Sequence, residues 1–290
     1  MARVAVVGVG AIGGVLAALL QVAGRHRITL CTRRPIGNLT VKTPQGVVVV
    51  DATNLIDPSQ AAPVDWVFVA TKTYDSQGAA AWLRVLCGAN TPVAVVQNGV
   101  EHRERFKDFV TQDLTLPVII DCPVERLTNG TVHQRGVAKM QVEAGPLAEM
   151  FAQLLAGTNA NVELTHDFVS AAWRKLCVNS AGAISALTLK PAGVLRGDAF
   201  GQVAKDIVAE CAAVARAEGA RLDQNVGQQV LDGYRAQPED SINSMLADRL
   251  AGRPLEIDAR NGVIVRKGQK HGIDTPLNRM IVALLQQPPA

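Results

Sequence analysis

Residues 3–14 read Arg3-Val4-Ala5-Val6-Val7-Gly8-Val9-Gly10-Ala11-Ile12-Gly13-Gly14, and this stretch decides the fold of the first half of the chain. The apolar run at 3–7 is too short for a helix and predicts a buried strand. Behind it, Gly8-x-Gly10-x-x-Gly13 opens an apolar helix that runs to about Gly24. A strand, a glycine turn of this spacing and a helix form the dinucleotide fingerprint. The first glycine permits the tight turn, the second lets the backbone approach a pyrophosphate, and the third lets the helix pack on the strand. The free N–H groups of the helix start then face the phosphates. Gly8, Gly10, Ala11, Ile12 and Gly13 are the candidate cofactor-binding residues of this turn.

Outward from the turn, short apolar runs alternate with helical stretches. Residues 28–32, 66–70, 92–96, 116–120 and 139–143 predict strands, and 41–50 predicts a hairpin around Pro44-Gln45-Gly46. This alternation predicts a doubly wound α/β sheet. From about His166 strand signals stop. Helices are expected at 167–187, 200–218, 224–236, 241–250, 255–269 and after Pro276. The expected organisation is an α/β domain over 1–165 followed by an all-α domain over 166–290.

Composition narrows the function. Apolar residues make up 48% and charged residues 19%, which places the chain among globular proteins. The net charge of +3 is built from intermingled signs, which argues against a nucleic-acid surface and suits a small anionic ligand. Five scattered cysteines without a CxxC pair predict reduced thiols and a cytoplasmic location. The five dispersed histidines suggest no metal site. No apolar run approaches the ~18 residues of a membrane span, and a strand directly after Met1 leads us to expect no cleavable signal peptide. A homodimer is among the expected partners.

The second strand ends in Thr32-Arg33-Arg34, without a carboxylate before Asp51. An NAD site usually carries an acid there for the ribose hydroxyl. An arginine instead suits a 2′-phosphate, so NADPH is the expected cofactor, with Arg33 its first candidate contact and Arg34 the second. In the second half, Lys175 and Asn179 lie four apart in a strongly apolar helix and share one face. A lysine in such a helix either snorkels to the surface or shares a polar ligand with the asparagine below it. Glu256 is expected in a first helical turn after Pro254, where the helix dipole alone stabilises a carboxylate. Gly262 inside a helix costs about 1 kcal/mol against alanine and hints at a close approach.

Taken together, these segments resemble the ketopantoate reductase family. The resemblance rests on the GxGAIG run, on Thr71-Lys72 and on Gln97-Asn98-Gly99. It continues through Trp173-Arg174-Lys175-Leu176-x-x-Asn179, Asn243-Ser244-Met245-Leu246-x-Asp248, Glu256-Ile257-Asp258-x-x-Asn261-Gly262 and His271-Gly272-Ile273-x-x-Pro276-x-Asn278. The resemblance implies a Rossmann-type sheet followed by a helical domain. The implied activity is NADPH-dependent reduction of 2-dehydropantoate to (R)-pantoate, on the route to pantothenate and coenzyme A. It implies Lys175 as the catalytic lysine and Glu256 as its partner, and Lys72 and Asn98 at the nicotinamide end and substrate. Asn179, Ser244 and Asn261 are implied to hold the substrate or the cofactor's carboxamide. In one departure, Ala183 stands where the family commonly has a second asparagine one turn after Asn179, so one substrate contact is expected to be missing. The alternatives are a reductase of another small 2-oxo acid on the same fold and a non-catalytic NADPH-binding sensor.

Overall fold

The computed structural model describes residues 1–286, and the chain divides into two compact units. The first comprises Met1–Gln97 and Glu101–Phe168, the second Asn98–Val100 and the chain from Val169 onward.

The first unit is α/β. Its strands in chain order are β1 (Ala2–Val7), β2 (His26–Cys31), β3 (Leu39–Thr43), β4 (Gly46–Val50), β5 (Thr53–Leu55) and β6 (Trp66–Val69). They continue with β7 (Val93–Val95), β8 (Thr115–Asp121), β9 (Val124–Arg126), β10 (Val132–Gln134), β11 (Lys139–Glu143) and β12 (Asn161–Thr165). Helices α1 (Ala11–Ala23), α2 (Ser76–Leu86), α3 (His102–Phe106) and α4 (Pro146–Leu154) connect them. The main sheet has the order β12-β11-β8-β7-β6-β1-β2-β5. It is parallel from β5 through β8, with β11 antiparallel to β8. β1 lies between β2 and β6, so the strand order reverses where the glycine turn leaves the sheet, the usual place for a nucleotide.

Strand alternation explains why β1 reads as an unbroken apolar run. Val4 and Val6 belong to the core that includes α1 and Phe151 of α4, while Ala5 and Val7 belong to the opposite core with Trp82 and Leu83 of α2 and Phe106 of α3. Both faces are covered, so neither phase of the strand can be polar. The hairpin expected at 41–50 exists as β3–β4, yet it stands outside the main sheet. With β10 and β9 it forms a second sheet of order β4-β3-β10-β9. A Cβ on Gly14 of α1 would lie 2.7 Å from Val132 Cγ2, so the small sheet reaches α1 because that position carries no side chain.

The second unit contains α5 (Phe168–Ala181, whose first residue belongs to the other unit), α6 (Ala183–Thr188), α7 (Asp198–Ala217), α8 (Val226–Arg235), α9 (Ser244–Leu250), a π-helical turn (Asp258–Gly262), α10 (Val263–His271) and α11 (Pro276–Leu285). Among the described residues it has no strand. The single helix expected at 167–187 is corrected to two. At Gly182 a Cβ would lie 2.6 Å from the Tyr234 hydroxyl and 3.1 Å from Asn243 Nδ2, and these groups bond the carbonyls of Val178 and Gly182. The helix expected from 255 is likewise corrected: it begins two residues later and passes through the π turn.

Glu218, just beyond α7, binds α10. Its carboxylate accepts hydrogen bonds from Lys267 at 2.7 Å, Lys270 at 3.1 Å and His271 at 2.6 Å. Burial alone would raise its pKa, but these three donors outweigh it and hold the pKa down to about 2 against 4.5. A depressed folded pKa stabilises the fold above the unfolded value, and that contribution is lost as pH falls from 4.5 toward about 2. Glu218→Ala should therefore lower stability at neutral pH by about 2–3 kcal/mol, the worth of hydrogen bonds to a charged group. Urea melts should also show a weaker acid dependence across that window than the wild type. Equal stability at pH 7 would contradict this.

Candidate functional site

The glycine turn has the geometry its spacing demands. Gly8 has φ +91°, and a Cβ on it would lie 2.6 Å from the backbone nitrogen of Thr71. A Cβ on Gly13 would lie 2.0 Å from the Gly8 carbonyl oxygen. Above Gly10 a Cβ meets nothing within 4 Å. Two glycines are thus needed for packing and the middle one faces open space, which is the room a pyrophosphate requires at the start of α1. The Arg126 guanidinium donates to the Val9 carbonyl, which places a cation against the turn. That contact was not legible from sequence, because 117 residues separate the partners.

Arg33 is almost fully exposed, and its Nη1 lies 3.2 Å from Asp75 Oδ1. Thr32 below it donates to the Arg34 carbonyl and accepts from Asn54 Nδ2, so the turn after β2 is pinned while the arginine head stays at the surface. Lys72, half-buried, follows β6 and Thr71. The loops after β6 and β7 are locked by Gln97, whose Nε2 donates to the Thr71 carbonyl and hydroxyl. Arg105 donates to Gln97 Oε1. His102 Nε2 donates to the Gln97 carbonyl, and burial pushes its pKa down to about 4, so the imidazole is neutral. This bracing depends on partners 26 residues apart in the chain, so it is not legible in the Gln97-Asn98-Gly99 stretch itself.

In the second unit, α5 presents Lys175 and Asn179 half-buried, one turn apart, between an exposed Arg174 and a buried Trp173, Leu176 and Cys177. Glu256 differs from expectation. It lies just before the helix rather than within its first turn, is only 5% exposed, and accepts a hydrogen bond of 2.9 Å from Asn98 Nδ2. Residue 98 therefore gives the carboxylate a specific hydrogen-bond donor, beyond any effect of helix position. Asn98 Oδ1 makes no hydrogen bond among the described residues.

Two of the residues singled out in the sequence lie buried inside the helical unit. Asn261 is fully buried, and its Nδ2 donates to Asn278 Oδ1 and the Ser180 carbonyl. Asn278 in turn bonds Glu210 and the Ile207 carbonyl. Through Nδ2, Asn261 therefore braces the packing of α5, α7 and α11, while its Oδ1 is buried without a partner among the described residues. Ala183 is also fully buried, within the apolar core of the helical unit, so the departure at this position lies inside the packing. Gly262 is buried in the π turn, and a Cβ there would press mainly on the side-chain ends of Asp258 and Arg266. Ser244 is exposed at the start of α9, with Asn243 as the helix cap accepting from the Leu246 N–H. It accepts a hydrogen bond from Arg260, whose position in the sequence carries no signal of this role.

Among the described residues no group of three or more histidine, cysteine or acidic side chains is placed to hold a metal. No helix among them is long and apolar enough to cross a membrane.

Comparison with known proteins places these observations in one family. Residues 4–149 match the model described as ketopantoate reductase PanE/ApbA, and residues 167–288 match its C-terminal counterpart. The chain is 47% identical to the 2-dehydropantoate 2-reductase of Caulobacter vibrioides, over 98% of both chains. Among solved structures it resembles a 2-dehydropantoate 2-reductase from Geobacter metallireducens, with TM-score 0.92 and 26% identity over 99% of this chain and 100% of that one. It also resembles a PanE/ApbA family ketopantoate reductase from Ralstonia eutropha, with TM-score 0.89 and 32% identity over 98% and 97% of the two chains. A glycine turn shaped for a dinucleotide, a lysine and asparagine on one helical turn, and a buried glutamate held by Asn98 are thus found in a chain matched along nearly its whole length: it belongs to the ketopantoate reductase family.

Proposed function

We propose that the chain reduces 2-dehydropantoate to (R)-pantoate with NADPH, in the pathway to pantothenate and coenzyme A. The near-complete match to the Caulobacter reductase carries this reading, and the buried Glu256 bonded to Asn98 supports it. The reduced nicotinamide, when bound, supplies the hydride. Gly8, Gly10, Ala11, Ile12 and Gly13 form the cradle for its pyrophosphate, and Lys72 and Asn98 serve the nicotinamide end. Lys175 donates a hydrogen bond to the C2 carbonyl oxygen, stabilises the charge growing there and passes its proton to it as general acid. Glu256 orients that lysine, and Asn98 holds Glu256 in place. Asn179 and Ser244 hold the substrate's polar groups, while Asn261 acts from behind as a brace. The proposed units of work are a cofactor domain over 1–165 and a catalytic domain over 166–290, in the cytoplasm. NADPH oxidation followed against a panel of 2-oxo acids tests the reading: turnover should be highest with 2-dehydropantoate, and a better substrate elsewhere in the panel would overturn it.

The preference for NADPH over NADH rests on Arg33 and the absence of an acid at the end of β2. The Arg33–Asp75 pair is exposed and contributes little, so the guanidinium is available to a 2′-phosphate. Charged hydrogen bonds of this kind are worth roughly 1.5–3 kcal/mol, or about 10–100-fold in Kd. Arg33→Ala should weaken NADPH by that factor and leave NADH unchanged in fluorescence titrations. Equal affinities for both cofactors in the wild type would refute it.

A further inference from the structure

Arg260 is only 3% exposed. It sits in the π turn Asp258–Gly262, and such turns gather at functional positions because the extra residue re-aims side chains. Its single hydrogen bond among the described residues runs from Nη2 to Ser244 Oγ, at 2.7 Å. Nε is buried without a partner, and no carboxylate among the described residues pairs with the guanidinium. A buried cation normally has a counter-charge, because desolvating it alone costs several kcal/mol. Tyr234, close enough to feel the arginine's charge, does not provide one. Burial pushes its pKa up to about 12, and its neutral hydroxyl donates to the Val178 carbonyl.

The direction of the hydrogen bond matters. Because Ser244 Oγ accepts from Arg260, the serine's own proton is free to be donated elsewhere. Ser244 is exposed, so an acceptor can arrive from solution. Its neighbour Asn243 cannot compete, since its oxygen caps α9 and its nitrogen bonds the Gly182 carbonyl. We propose that Arg260 is a positioning residue that orients Ser244 as a hydrogen-bond donor to the carboxylate of the 2-oxo acid and supplies the buried positive charge this carboxylate binds against. The proposal rests on the reading that the site takes a 2-oxo acid, but not on which one.

The test separates binding from chemistry. Arg260→Gln should raise KM for 2-dehydropantoate by about 10–100-fold and lower kcat by no more than about threefold, the pattern of lost uniform binding. The Kd for NADPH should stay at the wild-type value. Arg260→Lys retains the charge and should recover part of the KM. Ser244→Ala should raise KM as well, and the double variant should be little worse than Arg260→Gln alone, because the two residues act as one unit. An unchanged KM in Arg260→Gln, or fully additive effects in the cycle, would overturn the proposal and leave Arg260 a packing residue. If Arg260→Gln fails to fold, the cycle of Arg260→Lys with Ser244→Ala decides on the same criterion. If the wild type prefers another 2-oxo acid, the functional reading fails separately, and the same variants measured with that acid still decide the role of Arg260. If it reduces none, both fall.

Discussion

Replacing Lys175 with alanine should reduce kcat by about 10²–10⁴-fold, the usual worth of a positioned general acid, with the fold intact. The expectation follows from where α5 places the residue. Trp173, Leu176 and Cys177 are buried and make the packing contacts, whereas Lys175 is only half-buried, one turn from Asn179. Removing the lysine therefore takes little from the core, and the thermal midpoint should move only slightly. The loss should appear in kcat, because a proton is needed on the oxygen only as the carbonyl is reduced. Lys175→Arg sharpens the point: a guanidinium keeps the positive charge but does not release its proton near neutral pH, so it should rescue binding far better than turnover. A purified Lys175→Ala protein with near-normal kcat would mean that this lysine merely snorkels to the surface.

The second large effect concerns the substrate. 2-Dehydropantoate should exceed pyruvate and unbranched 2-oxobutanoate by at least about 10²-fold in kcat/KM, because a site built to bond a hydroxyl penalises analogues that lack it. The candidate partners are the half-buried Asn179 and the free Oδ1 of Asn98, with Ser244 proposed for the carboxylate. Each polar group left unpaired on binding the smaller acid costs about 1–3 kcal/mol, so one or two reach the stated ratio. Asn261 adds no donor here, since its Nδ2 is used inside the bundle, and its Oδ1 is buried without a partner among the described residues. The buried Ala183 adds none. A ratio near one would mean that the hydride chemistry was kept while the substrate changed.

The parts of the fold that could be read in advance are those whose cause is local. The turn at Gly8, Gly10 and Gly13 is dictated by close approaches within a few residues and to Thr71, and the central strands announce themselves because both faces of β1 are covered. What escaped depends on partners far along the chain. The short strands β9 and β10 carry no periodicity of their own and exist by pairing with each other and with β3. The break at Gly182 is made by Tyr234 and Asn243, more than 50 residues away. In the candidate site, helical spacing was enough to put Lys175 and Asn179 on one face. It could not show that Glu256 leaves the helix to meet Asn98, or that Asn261 turns inward to Asn278. In the sequence Arg260 reads as a solvated arginine, and only its burial against Ser244 sets it apart.

The most direct test of the central claim is the product itself. The purified protein is incubated with NADPH and 2-dehydropantoate, and cofactor consumption is compared with pantoate formed, resolved by chiral chromatography. One (R)-pantoate per NADPH oxidised is the expected result, abolished to near background in the Lys175→Ala variant. NADPH binding without any pantoate, or faster oxidation with a 2-oxo acid that lacks the hydroxyl, would contradict the assignment.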